Sequence, residues 1–312
     1  MAYAQDITLP VALIVSDKFV VSITATQDEI RQSLLSQNYI TNVNAFNVLF
    51  AKKKGDIISG AYKLTLNMTL AQVSKVLHAK PYMKWVVIPP GLRKEEIADL
   101  LAINLGWTKT QKTKWINIYT TKTKPAKPEY IEGVYFPDTY LIPIAETPQN
   151  VAKRLIAKFN ENFASYLPQF TIQNIPWTKA LTLASIVQRE AADASDMPLI
   201  AGILFNRLNQ KIPLGVDATL QYARGNKNNK GWWAPMTVAD KKIVSPYNTY
   251  INAGLPPYPI SNPGIDAINA VANPAKTDCI YYLHDKTGVT HCAVTYAEHQ
   301  ANIVKYLKTA TP

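Results

Sequence analysis

Short β-branched runs alternate with helical periodicities through the first hundred residues. "FVVSITAT", Phe19 to Thr26, reads as a strand, and Thr26 with Glu29 makes a capping-box pattern ahead of the helix "IRQSLLSQNYI". "AYKLTL" is a second strand signal, after which Thr69 and Gln72 open "LAQVSKVLHA" in the same way. "KWVVIPPG" repeats the scheme with a Pro-Gly turn before the helix "RKEEIADLLAINL". Small strand–helix units of this kind suit a binding or spacer module.

A Lys/Pro-rich stretch at 121–129 marks the boundary. Beyond it come "YIEGVYFPDTYLIP", helices at 148–166, around Glu190 and at about 196–209, and a loop-rich run. A helix at about 264–271, the hairpin "CIYYLHDKTGVTHCAV" and a closing helix from Ala297 complete the chain. Strands and helices mix without a regular βαβ series, so the predicted class is α+β. The expected division is 1–105, 106–129 and 130–312.

One position breaks its helix pattern. In "LTLASIVQREAA" Leu183, Ile186 and Val187 share an apolar stripe with Ala180 and Ala191, while Thr182, Ser185, Gln188 and Arg189 fall opposite. Glu190 lies within the apolar stripe, three, four and seven residues past Val187, Ile186 and Leu183. A carboxyl so placed loses hydration most in its ionised form, which raises its pKa and suits a general acid. An ion pair with Arg189, Arg207 or Lys179, or escape to water at the helix edge, are the structural alternatives.

Composition narrows the class. The 312 residues are 47% hydrophobic and 18% charged, a globular balance. A net charge of +11 points to an acidic partner such as a polymer of the cell wall or an anionic surface. Much of the excess is local, at Lys109, Lys112, Lys114, Lys122, Lys124 and Lys127, and no phosphate loop, zinc-finger spacing or RNA-recognition signature accompanies it. Nucleic acid is therefore not expected. Four histidines without an HExxH pattern predict no metal site, and no cofactor is expected. Cys279 and Cys292 flank the predicted hairpin, and a disulfide or two free thiols are both open. "LPVALIV" is too short to span a bilayer, so the chain is expected to be soluble or to have lost an anchor.

Several long motifs in order carry a resemblance. "LASIVQREAADASDMPLIAGILFNRLNQKIPLGVDATLQYA" and "PYNTYINAGLPPYPISNPGIDAINAVANPAKTDCIYYL" closely resemble the endolytic murein transglycosylases, the YceG-like proteins. "EGVYFPDTY" at 132–140 and "EHQANI" at 298–303 match as well, and the pattern from "SGAYKLTL" to "EEIADLL" resembles the family's N-terminal LysM-like part. The resemblance implies a YceG-like catalytic domain over 130–312 behind a small LysM-like α/β module over 1–105.

It also implies Glu190 as the catalytic residue, at the end of the "ASIV-x-x-E" segment. Many members carry a further glutamate where Gln188 stands here. The implied reaction is lytic transglycosylation within peptidoglycan glycan strands, ending glycan elongation during wall assembly. Glu190 would protonate the bridging oxygen between N-acetylmuramic acid and N-acetylglucosamine, and the C6 hydroxyl would then close a 1,6-anhydro ring. Substrate-binding candidates are Asp217, Gln221, Tyr247, Asn248, Thr249, Tyr250 and Glu132. Local capping or loop bonding is the alternative for Asp217, Asn248 and Glu132.

Expected partners are peptidoglycan strands and cell-wall synthases, at the outer face of the cytoplasmic membrane, with membrane contact only through an anchor absent from this chain. The family's usual Gln and Pro are missing from "PLGVDAT", where Gly215 and Ala218 stand. A hydrolytic muramidase using Glu190 with Asp217 or Asp138, and a non-catalytic wall-binding protein, remain the alternatives.

Overall fold

The computed structural model describes residues 18–51, 56–118, 132–226 and 231–308. The run "LPVALIV", the stretch 121–129 and three of its lysines (Lys122, Lys124 and Lys127) lie outside the described residues. The chain divides into two compact units, one reaching Val86 and including Tyr140–Glu146, the other taking Val87–Thr139 and everything from Thr147 onward.

The first unit runs β1 (Lys18–Val21), α1 (Gln27–Ser36), α2 (Val43–Ala51), β2 (Gly60–Lys63), α3 (Leu70–Leu77) and β3 (Met83–Val87), with β4 (Thr139–Pro143) added from later in the chain. The sheet order is β1-β2-β3-β4. β1 and β2 are antiparallel from Lys18↔Lys63 to Val21↔Gly60, and β2 meets β3 antiparallel at Ala61↔Met83. Both expected capping boxes form: Thr26 and Glu29 exchange bonds of 3.2 and 2.7 Å, and Thr69 and Gln72 bonds of 3.3 and 2.7 Å. The β1 strand stops at Val21, short of Thr26, because the cap must leave the sheet to start α1. Gly60 has φ +148°, and a Cβ there would strike the Met83 carbonyl oxygen, so a side chain would block the β2–β3 pairing. Phe19, Leu34, Phe46, Tyr62 and Leu77 fill this unit's core.

In the second unit, α4 (Lys94–Leu105) and α5 (Lys109–Ile116) precede α6 (Pro148–Phe163), α7 (Leu167–Ile172), α8 (Trp177–Glu190) and α9 (Met197–Asn209). Then come α10 (Asp217–Arg224), α11 (Ile265–Ala272), the hairpin β5 (Tyr281–His284) and β6 (Thr290–Ala293), and α12 (Tyr296–Asn302). The mixture of helices with two antiparallel sheets is an α+β architecture. The Lys-rich run at 109–116, read from sequence as part of a connecting region, is helical. Thr108 and Gln111 form its capping box, and the fully buried Trp115 donates from Nε1 to the Lys94 carbonyl at 3.1 Å. The sequence reading also missed α2, although Asn42 caps it, its Oδ1 accepting the Ala45 amide at 3.0 Å.

Helix α8 is the axis of this unit's core. From Ala180 to Val187 every residue is buried, packed with Ile200 and Leu204 of α9 and Ile268 and Val271 of α11. The polar side drawn for it from sequence is thus partly wrong: Thr182 and Ser185 are enclosed too. Their hydroxyls turn back onto the helix, Thr182 to the Thr178 carbonyl at 2.9 Å and Ser185 to the Thr182 carbonyl at 2.7 Å. Ser185 Oγ also accepts the Ile260 amide at 3.0 Å, and its carbonyl accepts the Ser261 hydroxyl at 3.1 Å. Small hydroxyls let the 260–264 segment lie directly against the helix without leaving a polar atom unpaired.

Cys279 and Cys292 are joined by a disulfide with their Cα atoms 5.8 Å apart, across a hairpin in which Tyr282 faces Cys292. The bridge closes a loop short enough to contribute about 3 kcal/mol by restricting the unfolded chain. Replacing both cysteines by serine is expected to lower the unfolding free energy in urea by about 2–4 kcal/mol. Dithiothreitol should act alike on the wild-type chain, and superimposable melts with and without reductant would mean that the bridge does not form.

Candidate active site

Glu190 is the last residue of α8, and its backbone marks where the helix ends: Ala191 is already extended, at ψ 143°. The residue keeps a partly exposed edge while its carboxyl is enclosed. Oε2 accepts a hydrogen bond from the Tyr282 hydroxyl at 2.7 Å. Burial holds the Glu190 pKa above the usual carboxylate range, opposed by the Tyr282 bond, raised further by the charge of Asp217, and opposed again by the Ala218 backbone and His284. The negative end of the helix dipole adds to the upward push. Tyr282 is itself held well above its ordinary value by burial and by the Glu190 charge, so it remains a donor.

A cleft of about 300 Å³ opens beside this carboxyl, lined by Asp217, Tyr250, Tyr281, Tyr282, Arg207 and His299 among others. That volume is at the lower end of ligand-sized sites. Two larger hollows, of about 600 and 520 Å³, lie by Lys109 and Lys114 on α5 and by Val48 and Leu49 on α2, and among the described residues no carboxylate lines either. Chemistry rather than size singles out the Glu190 cleft.

The arginines weighed as ion-pair partners are engaged elsewhere. Arg189 lies 3.9 Å above the Trp233 ring. Arg207 spans the cleft wall, donating to the Pro213 carbonyl from Nε at 3.1 Å and Nη2 at 2.7 Å, and to the Ile280 carbonyl from Nη1 at 2.7 Å. It thereby ties the turn before α10 to the start of the hairpin.

The remaining candidates separate by geometry. Asp217 and Tyr250 line the cleft, joined by a 2.6 Å bond from the tyrosine hydroxyl to Oδ1. Asp217 is the first residue of α10 and makes no side-chain cap. Thr249 is buried behind them, its Oγ1 accepting the Val216 amide at 3.0 Å and sharing a 2.9 Å bond with Thr219. Asn248 closes its own loop, donating to the Lys241 and Ile243 carbonyls and accepting the Tyr250 amide. Tyr247 packs on Tyr222 with centroids 4.8 Å apart, and Gln221 holds the Trp233 and Ala234 carbonyls.

Glu132 stands away from the cleft. It is fully buried, with Oε1 accepting the Lys94 amide at 2.9 Å and the Asn262 side chain at 2.6 Å, and burial, then the charge of Glu95, holds its pKa well above the usual range. Its bonds are those of a core clasp on the first turn of α4. Among the described residues no cluster of acidic, histidine or cysteine side chains could hold a metal ion.

Sequence reasoning missed Tyr281, Tyr282 and His299 in the cleft. Tyr282 lies 92 positions from Glu190, and nothing local distinguishes it among 17 tyrosines. The available signal was the hairpin, whose register across Cys292 fixes which face Tyr282 occupies.

A family model, the YceG-like family, matches residues 19–305. The chain belongs to the YceG-like family. Among its YceG-like relatives, an endolytic murein transglycosylase of Streptococcus pneumoniae is 29% identical over 289 residues, 83% of this chain and 52% of that protein. This chain thus spans about half the length of the pneumococcal relative. An endolytic murein transglycosylase of Bacillus subtilis is 28% identical over 295 residues, covering 88% of this chain and 81% of the relative. The crystal structure of a yceG-like protein from Listeria monocytogenes matches with a TM-score of 0.62 and 27% identity, over 91% of this chain and 98% of that one.

The electrostatics of this YceG-like site have a direct test. Tyr282→Phe removes a bond that favours the ionised carboxylate and is expected to raise the Glu190 pKa, whereas Asp217→Asn removes a repulsive charge and should lower it. NMR titration of isotope-labelled glutamate carboxyls reads both shifts. Movement in the opposite direction in either variant contradicts the arrangement.

Proposed function

We propose that this chain is a peptidoglycan lytic transglycosylase, a lyase that cuts the β-1,4 bond between N-acetylmuramic acid and N-acetylglucosamine inside glycan strands. The observation that carries the reading is the Glu190 carboxyl, its pKa raised by burial at the wall of a cleft and its Oε2 held by the Tyr282 hydroxyl. The names of its relatives support the substrate.

In the proposed cycle Glu190 gives its proton to the bridging oxygen as the glycosidic bond breaks, and an oxocarbenium-like muramoyl centre forms. The carboxylate so produced stabilises that centre electrostatically and takes the proton of the sugar's own C6 hydroxyl. The hydroxyl oxygen closes on the anomeric carbon, giving a 1,6-anhydro end, and Glu190 is protonated again. Because the nucleophile is intramolecular, one carboxyl serves as acid and then as base. Asp217 is held by Tyr250 next to the acid, where its charge raises the pKa of Glu190.

The same reading extends to the rest of the chain. The order β1, α1, α2, β2, with β1 and β2 paired antiparallel, supports a LysM-like wall-binding module within 1–105. The lysine-rich surface suits an acidic polymer, and a disulfide suits an oxidising compartment outside the cytoplasm. No helix among the described residues is long and apolar enough to cross a membrane. Termination of glycan elongation beside cell-wall synthases is the corresponding role.

Digestion of purified sacculi with analysis of the products by mass spectrometry tests the reaction. Anhydro ends are expected. Products heavier by one water would assign a hydrolytic muramidase instead, and binding without release of muropeptides would assign a wall-binding protein. Glu190→Gln is expected to lower turnover by a factor of about 100 to 10,000 while glycan binding persists.

The same variant also carries a stability signature. A carboxyl whose folded pKa exceeds its ordinary 4.5 contributes stability that is full below that value and is lost as pH rises through the folded pKa. Glutamine has no proton to lose. Glu190→Gln should therefore melt above the wild-type chain at neutral pH, with a difference that shrinks as pH falls from the folded pKa toward 4.5 and is absent below it. Equal melting temperatures across that range would refute the buried, neutral acid.

A further inference from the structure

The segment "EHQANI" resembles the family pattern, yet its chemistry has no assignment in the reaction above. Within and beside α12 its side chains divide. Glu298 is spent on the helix start, its Oε2 accepting the Val294 amide at 2.9 Å and the Thr295 amide at 3.0 Å. Asn302 donates to the Cys292 carbonyl at 3.3 Å. Of the segment, only His299 lines the Glu190 cleft.

The imidazole of His299 lies nearly parallel to Tyr281, with centroids 5.3 Å apart and planes at 21°, and Tyr281 lines the same cleft. The Tyr296 ring, 59% exposed, stands 6.4 Å from it on the outer side. Nδ1 of His299 is buried without a hydrogen-bond partner. A proton on that nitrogen would be removed from water with no acceptor to receive it, so the tautomer with the proton on Nε2 is favoured. Burial, then the Arg207 guanidinium, holds the imidazole below its ordinary value, which keeps the neutral form at neutral pH. The nitrogen available to the cleft is then a fixed N–H donor rather than a switching base.

We propose that His299 is a substrate-binding residue of the Glu190 cleft, donating from Nε2–H to an uncharged acceptor oxygen of the bound sugar, a hydroxyl or an acetamido carbonyl. Its ring stacks on that of Tyr281, which fixes the imidazole beside the cleft. This assignment rests on reading the cleft as a glycan site.

Binding is measured in the Glu190→Gln protein, which holds glycan without cutting it. The probe is a peptide-free oligomer of alternating N-acetylglucosamine and N-acetylmuramic acid, followed by calorimetry. His299→Phe keeps an aromatic ring against Tyr281 but removes the donor, and should weaken binding about tenfold. His299→Gln restores an N–H near the same place and is expected to stay within about threefold of the parent. His299→Met, unbranched and without a donor, repeats the loss if the phenylalanine variant melts early. Unchanged affinity in both donor-free variants, or equal weakening in a natively folded His299→Gln protein, would overturn the role of His299 alone. No binding by the Glu190→Gln parent would overturn the glycan reading of the cleft, and this assignment with it.

Discussion

The hydrogen bond between Tyr282 and Glu190 is the point on which the second unit converges. A carboxyl at the end of a buried helix has lost most of its water, and a single phenol supplies one side-chain partner while setting its direction. Much nearby structure serves that contact. The disulfide and the β5–β6 register fix the strand that carries Tyr282. Arg207 ties the base of that strand to the turn before α10, and Thr249 clamps the backbone next to Asp217. Three stretches far apart in sequence therefore share one carboxyl.

Which influence wins at Glu190 follows from their relative sizes. Removing a carboxylate from water can shift its pKa by several units, more than one phenolic hydrogen bond returns. Asp217 and the helix end push in the same direction as burial. Glu132 shows why such a shift does not by itself locate a site. It too is held well above the usual range by burial, yet its bonds go to the Lys94 amide and Asn262 in the core. Among the described residues it is at Glu190 that desolvation, a fixed donor and a cleft coincide.

Much of this was legible in the chain because it is local. Thr26 with Glu29 and Thr69 with Gln72 announce helix starts through groups three residues apart, and Glu190 betrays itself by interrupting a stripe of Leu183, Ile186 and Val187. What escaped depends on distant partners. Thr182 and Ser185 look like a solvent face until the 260–264 segment closes over them. Asn248 and Thr249 have the side chains of ligand contacts, but Asn248 bonds the carbonyls of its own loop and Thr249 accepts the amide of Val216, ahead of α10. The helix 109–116 was hidden by its lysines, since its buried residue, Trp115, finds its acceptor on Lys94.

The enclosure of α8 has a consequence for how this molecule can vary. With no solvent side between Ala180 and Val187, a bulkier or smaller residue there cannot be absorbed outward, and the adjustment travels along the rigid rod to its final residue. The placing of the Glu190 carboxyl and the interior volume are then one property. A search for hardier variants would do well to leave this helix untouched and work at the periphery.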